Sequence, residues 1–149
     1  MYLDESGFEP ETTRTHGWAQ RGEAVHGFRS GNRRPRTSLI AARTTRGLEA
    51  PMLFAGTCNT AIFNQWLEEM LCPLLNENDV VVMDNAAFHK SEETKRLIEN
   101  TGATLLYLPP YSPELNPIEK DFANLKRNRK YAQNKSIDAI VNAYNYLVK

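Results

Sequence analysis

The stretch Asp79-Val80-Val81-Val82-Met83-Asp84 constrains the fold more than any other part of the chain. Four apolar residues, three of them β-branched, follow one another without polar alternation, and an acid closes the run. A strand with one wet face alternates polar and apolar residues, so an unbroken run reads as a strand buried on both faces, the habit of parallel sheets covered by helices. Asp84 then stands at the carboxyl end of an inner strand, where α/β folds build their sites.

The neighbouring segments fit that class. From Asn59 or Thr60 as cap, residues 61–72 place Ile62, Phe63, Trp66, Leu67, Met70 and Leu71 at helical spacing, with Asn64, Gln65, Glu68 and Glu69 opposite; this stripe is core. Ser91 caps a second helix that carries Glu92 and Glu93 first and Lys95 and Arg96 later, the charge order the helix dipole favours, with Gly102 past its end. Ala103 to Leu108 is a strand ended by Pro109, Pro110 and Pro113, which shape the entry to a helix with Asn116 as cap and Pro117 at its first position. A last helix from Ser136 bears Ile137, Ile140, Val141, Tyr144 and Val148 on one stripe. Upstream, Met1 to Asp4 reads as the end of a strand that Glu5-Ser6-Gly7-Phe8-Glu9-Pro10 leaves through turn-forming residues. Residues 23–28 and 37–42 read as short strands joined by Ser30-Gly31-Asn32 and an arginine-rich stretch, and Met52 to Thr57 as a third after the Gly47 turn. A meander followed by alternating helices and strands predicts an α/β domain with a mixed sheet. At 149 residues the chain has single-domain length, 1–149. Trp18, Cys58 and Cys72 are expected to pack as core residues.

No apolar run approaches the ~20 residues of a membrane-spanning helix. The first residues lack the basic and apolar stretches of a secretory signal, which predicts a cytoplasmic protein without a membrane partner. Formal net charge is zero, but the charges are segregated. Arg29, Arg33, Arg34, Arg36, Arg43 and Arg46 stand in one stretch with no acid among them, and Lys120, Lys126, Arg127, Arg129, Lys130 and Lys135 stand in another against Asp121 alone. Such runs are either solvated faces or the footprint of a polyanion.

Asp4 and Asp84 close strands, and Glu119 falls in the first turn of a helix entered from a strand. Hard divalent cations take oxygen ligands, and phosphodiester chemistry uses two of them about 3.5–4 Å apart, one at the attacking and one at the leaving oxygen. Each acid taken singly also fits a turn or cap, and Asn116-x-x-Glu119 has the spacing of a capping box. Spacing alone leaves both readings open. No Ser-His-Asp set, Cys-His pair or phosphate-binding glycine loop competes.

Three blocks, in order, resemble the transposases of mariner-like elements, in particular their bacterial insertion-sequence branch. They are Leu3-Asp4-Glu5-Ser6-Gly7-Phe8 with Gly17-Trp18-Ala19 and Gly22; Val82-Met83-Asp84-Asn85-Ala86-Ala87-Phe88-His89-Lys90; and Leu108-Pro109-Pro110-Tyr111-Ser112-Pro113-Glu114-Leu115-Asn116-Pro117-Ile118-Glu119. The 34 residues between Asp84 and Glu119 match that family's spacing for its second and third acids. The resemblance covers essentially the whole chain. It implies an RNase H-like mixed five-stranded sheet flanked by helices, with the first and fourth strands side by side, and a catalytic, metal-binding triad of Asp4, Asp84 and Glu119 for two Mg²⁺ or Mn²⁺ ions. It further implies DNA cleavage by water and joining by the freed 3′-hydroxyl, transposon-end and target DNA as partners, a homodimer in the synaptic complex, and residence at a bacterial nucleoid.

Asn85 and His89, near Asp84, are candidates to position water or phosphate. Glu5 would face the other side of a continuing strand from Asp4. Arg33, Arg34, Arg36, Lys120, Lys126, Arg127 and Arg129 are the candidate DNA contacts. Relatives of full length carry helix-turn-helix modules before the catalytic domain, and none is recognised here, with Met1 three residues ahead of the first acid. A separately encoded helix-turn-helix part is one expectation that follows. The alternatives are an RNase H-like nuclease that cuts without joining and an inactive remnant that only binds DNA or subunits.

Overall fold

The computed structural model describes residues 1–9, 18–24, 36–110, 112–132 and 135–147. Strands β1 (Tyr2–Phe8), β2 (Thr37–Thr44) and β3 (Gly47–Ala55) form an antiparallel meander. Strands β4 (Val80–Met83) and β5 (Thr104–Tyr107) add to it in parallel, giving one sheet of order β3-β2-β1-β4-β5. Between β3 and β4 lies α1 (Thr60–Trp66), between β4 and β5 lies α2 (Glu92–Glu99), and α3 (Ile118–Tyr131) and α4 (Ile137–Leu147) follow.

Alternation along the strands builds two cores. On one face Leu3, Ile40, Ala42, Val81 and Met83 pack with Phe63, Trp66, Leu67, Leu71 and Ile98 from the α1–α2 side. On the other, Phe8, Leu39, Ala41 and Leu48 pack with Ile118, Phe122 and Leu125 of α3 and with Ile140, Val141 and Tyr144 of α4. Fully burying one large apolar side chain contributes roughly 1.5–3 kcal/mol, so these layers dominate the stability.

Several local expectations hold. The Asn59 side chain accepts from Ile62 N, the Ser91 hydroxyl from Thr94 N and the Ser136 hydroxyl from Ala139 N, so α1, α2 and α4 start at their expected caps. Gly102 takes φ +85°, as a left-handed helix terminator should.

Other expectations are corrected. Strand β1 does not end at Asp4: it pairs residue for residue with β2 as far as Phe8↔Thr37, because ladder bonds and the burial of Phe8 outweigh the turn tendency of Ser6-Gly7. The partner of 37–42 is therefore β1 rather than 23–28; Glu23 and Ala24 are not in a strand, and 25–28 lie outside the described residues. The third strand starts at Gly47 rather than Met52. The helix over 61–72 is α-helical only to Trp66 and continues as a π turn at Leu67–Leu71 and a 3₁₀ turn at Cys72–Leu74. Leu67 and Leu71 are both fully buried there, and Pro73 can donate no hydrogen bond to a regular turn. Strand β4 is fully covered on one face only: α3 packs on β1 and α4 on β3, and on that side Val80 of β4 and Leu106 of β5 are exposed while Val82 is half-buried. Cys58 and Cys72 are half-buried, and Trp18 is fully exposed, in a segment, 18–24, with no buried residue. Val148 lies outside the described residues.

One polar cluster locks α3 in place. Asp121, 3% exposed, accepts from the Arg43 guanidinium of β2 and from the Tyr144 hydroxyl of α4, the latter at 2.6 Å. Asp121→Ala strands both donors; because Arg43 retains some access to water, the expected loss is about 2–3 kcal/mol, read by chemical denaturation against wild type. A loss below about 0.5 kcal/mol would show that the cluster does not hold α3.

Candidate active site

Parallel pairing of β1 with β4 sets Tyr2 beside Val82, so Asp4 and Asp84 stand level, two residues further along each strand. Asp4 shares a face of β1 with Phe8 and looks toward α3; Asp84 is the first residue beyond β4. Glu119 is the second residue of α3. All three line one cavity of about 390 Å³, with Asn85, Ala86 and Asn116, and with a wall of Leu108, Pro109, Pro110, Ser112 and Pro113.

Asn116 is not the cap of α3; Pro117 is. Its side chain turns the other way, 3% exposed, and its Nδ2 donates to Asp4 Oδ2 at 3.0 Å and to the Leu3 carbonyl at 3.4 Å. The backbone carbonyl of Asn116 accepts from Glu119 N at 3.2 Å. One residue thus joins the first acid to the third. Asp4 Oδ1 accepts from Glu5 N at 2.8 Å.

His89 is fully buried and does not face the cavity. Its ring packs on Phe63 and Phe88, at centroid distances of 4.4 and 4.2 Å, while Nδ1 stands 2.6 Å from Asp84 Oδ1. Asp84 Oδ1 also accepts from Ala86 N at 3.0 Å, and the Tyr107 hydroxyl donates to the His89 carbonyl at 3.2 Å. Glu5 lies on the opposite face of β1 from Asp4, with Oε2 3.2 Å from His89 Nε2.

The electrostatics are those of crowded anions. Burial, then the charge of Glu5, with smaller contributions from Glu119 and Asp84, raise the Asp4 carboxyl to about 7 against the pull of the Glu5 N–H. The His89 hydrogen bond holds Asp84 below its ordinary value, against burial and helped by Ala86 N. Burial alone would lower His89; bonds to Asp84 and Glu5 outweigh it and raise the ring to about 9. Among the described residues no three His, Cys, Asp or Glu side chains converge on a single point. The donor set still suits hard cations, since it is all oxygen and since Asp4 holds a proton at a pH where an exposed carboxyl would not.

The basic residues divide. Lys120, Lys126 and Arg127 are exposed on α3, and the spacing of Glu119, Ala123, Lys126 and Lys130 places those four on one stripe. Arg129 lies toward the core, its guanidinium 5.7 Å from the Phe8 ring centre. Arg36 lies over Gly7, its guanidinium filling the space a side chain there would take, on the face of β1 away from Asp4. Arg43 is bound to Asp121 and Arg46 to Glu49. Arg33 and Arg34 lie outside the described residues. Sequence reasoning missed the contacts of Asn116 and Glu5: the first residue's cap-like spacing hid its side-chain partner, and strand alternation gave Glu5's face but not its neighbour.

Residues 1–141 match the family described as DDE superfamily endonuclease. The chain belongs to that family. No curated protein sequence matches it. Among solved structures this DDE endonuclease domain is similar to the Mos1 mariner paired-end complex with Mg, at 20% identity and a TM-score of 0.74, over 99% of this chain and 47% of that one. The Mos1 strand transfer complex matches at 19% identity and a TM-score of 0.66, over 99% and 50%. The catalytic core of BIV integrase matches at 10% identity and a TM-score of 0.53, over 97% and 80%. The expected RNase H-like fold is thereby confirmed. The domain spans about half the length of the Mos1 chains.

Because Asp4 is raised to about 7 in the fold, far above the roughly 3.9 of an unfolded Asp, its favourable contribution is complete below about pH 4 and is lost as pH rises through 7. In metal-free buffer, wild type should therefore lose roughly 2–4 kcal/mol relative to Asp4→Asn between pH 4 and 8. Parallel stability curves for the two proteins over that range would contradict the burial of an ionisable Asp4.

Proposed function

We propose that residues 1–149 form the catalytic domain of a cut-and-paste DNA transposase in which Asp4, Asp84 and Glu119 hold two Mg²⁺ or Mn²⁺ ions. The observation that carries this reading is the meeting of three carboxylates, from three separate blocks of the chain, in one cavity beside a lysine-bearing helix stripe. Membership of the DDE endonuclease family and likeness to Mos1 complexes with transposon ends, with Mg and with Mn support it. The bound ions would supply charge at the attacking and leaving oxygens of an in-line displacement.

The residues of the chain do the rest. Asp4 and Asp84 present oxygens from the sheet and Glu119 from α3, so the donors are held on two rigid elements, and the cations they would bind would offset their repulsion of a phosphodiester. Lys126 and Lys130 lie along the helix stripe that begins at Glu119 and would hold successive phosphates of a strand leaving the cavity, with Lys120 and Arg127 beside them. Water adds to phosphorus and the bond to the 3′ oxygen breaks, that oxygen taking up the proton the water gives up; the 3′-hydroxyl so released then attacks a phosphorus of target DNA, loses its proton, and displaces the target strand's 3′ oxygen, which leaves as a hydroxyl. We read transposon ends and target as the partners, with end recognition supplied by a helix-turn-helix part outside this domain, two copies in the synaptic complex, and a place on the nucleoid of a bacterium carrying an insertion sequence. No described helix is long and apolar enough to cross a membrane.

Incubation with Mn²⁺ and a labelled end substrate should give both nicked and joined products. Asp84→Asn should lower both by about 10²–10³-fold, the worth of several kcal/mol of charge stabilisation. Equal activity in the two proteins would reject the triad, and nicking without joining would favour a simple nuclease. Lys126→Ala and Lys130→Ala should each reduce the slope of log affinity against log salt by about one, with binding weakened alike on all sequences. An unchanged slope would move the DNA path off α3.

A further inference from the structure

The arrangement around His89 gives a role to a residue that the metal triad leaves out. Glu5 follows Asp4 on β1 but faces the opposite side of the sheet, toward the buried turn that carries His89. His89 is closed in by Phe63 and Phe88, fixed through its carbonyl by Tyr107, and fully buried, so its ring cannot turn to water. One ring nitrogen is committed to Asp84 Oδ1 at 2.6 Å. The other has Glu5 Oε2 at 3.2 Å. Neither Glu5 Oε2 nor His89 Nε2 makes a hydrogen bond of regular angle to another described residue, and both atoms are shut off from solvent. Two such atoms left at this distance serve each other, because an isolated buried polar atom costs about 1–3 kcal/mol.

We propose that Glu5 is a positioning residue for Asp84, acting through His89 as a rigid strut across the sheet. It pins Asp84 Oδ1 on the protein side and leaves Oδ2 for the cavity. The dipeptide Asp4-Glu5 thus supplies one acid directly and sets the aim of another from behind. The assignment rests on the reading of Asp84 as a metal ligand. Partners that orient a ligand in this way are worth about 10–100-fold in metal affinity.

The test is a Mg²⁺ titration of the full chain, followed by NMR of the histidine ring signals, with thermal melting recorded for each variant. Glu5→Gln keeps the shape of the side chain and should raise the Mg²⁺ midpoint about 10-fold or more while the fold persists; a residue with a merely structural role would move the melting temperature and leave the midpoint alone. In an Asp84→Asn background the Glu5→Gln change should have no further effect. An unchanged midpoint in Glu5→Gln, with a raised one in Asp84→Asn, overturns the strut and keeps the triad. Unchanged midpoints in both overturn the two together. A Glu5→Gln effect of equal size in the Asp84→Asn background means that Glu5 acts independently, which also overturns the strut. Should Glu5→Gln not fold, Glu5→Asp, which withdraws the carboxylate by one methylene, reads the same quantity.

Discussion

Everything about the site depends on the parallel pairing of β1 with β4. This pairing joins the two halves of the sheet, the meander and the parallel pair, and it sets Asp4, midway along β1, level with Asp84 just past the end of β4. It also forces together two carboxylates that repel each other. The fold meets that repulsion unequally: Asp84 is compensated by His89 and Ala86 N, whereas Asp4, deeper and beside Glu5, is left able to take a proton near pH 7. A site with this imbalance attracts positive charge, which is what a cation-dependent phosphodiester chemistry requires.

The third carboxylate arrives on a different kind of support. Glu119 is exposed in the first turn of α3, and α3 is anchored twice, by Asn116 to β1 at its start and by Asp121 to β2 and α4 one turn later. Two acids are therefore part of the sheet, and one rides on a helix held against it by polar contacts and one apolar core. The same helix turns its outer side, with Lys126 exposed and Lys130 half-buried, away from the sheet. With a net charge of zero, where the basic residues stand matters more than their number: Lys126 and Lys130 share the α3 stripe, whereas Arg43 is bound to Asp121 and Arg46 to Glu49.

Elements whose signal is local were legible in the sequence. The valine run of β4, the capped starts of α1, α2 and α4, and the Gly102 stop all follow from periodicity, caps and backbone freedom. What was hidden is what only tertiary partners decide. Ser6-Gly7 reads as a turn until β2 is there to pair with it, and Val80 reads as buried until α3 and α4 are seen to pack on the meander half of their face. Asn116 has the spacing of a cap, but a buried carboxylate 3.0 Å away is the stronger claim on its amide. The proposed triad was nameable through ordered motif blocks, whereas the contacts on two of its members, Asn116 on Asp4 and His89 on Asp84, needed the packed molecule.

The pairing of Tyr2 with Val82 also has a consequence in time. A chain made from its amino end can close the β1–β2–β3 meander early, by contacts of short sequence range, but the inner edge of β1 must wait for β4 to be synthesised. Until then Asp4 faces no second acid, and until α3 docks there is no third. A nascent or prematurely ended chain thus carries the first acid without the other two, and the assembly order of the fold leaves the cavity incomplete until the scaffold is nearly whole.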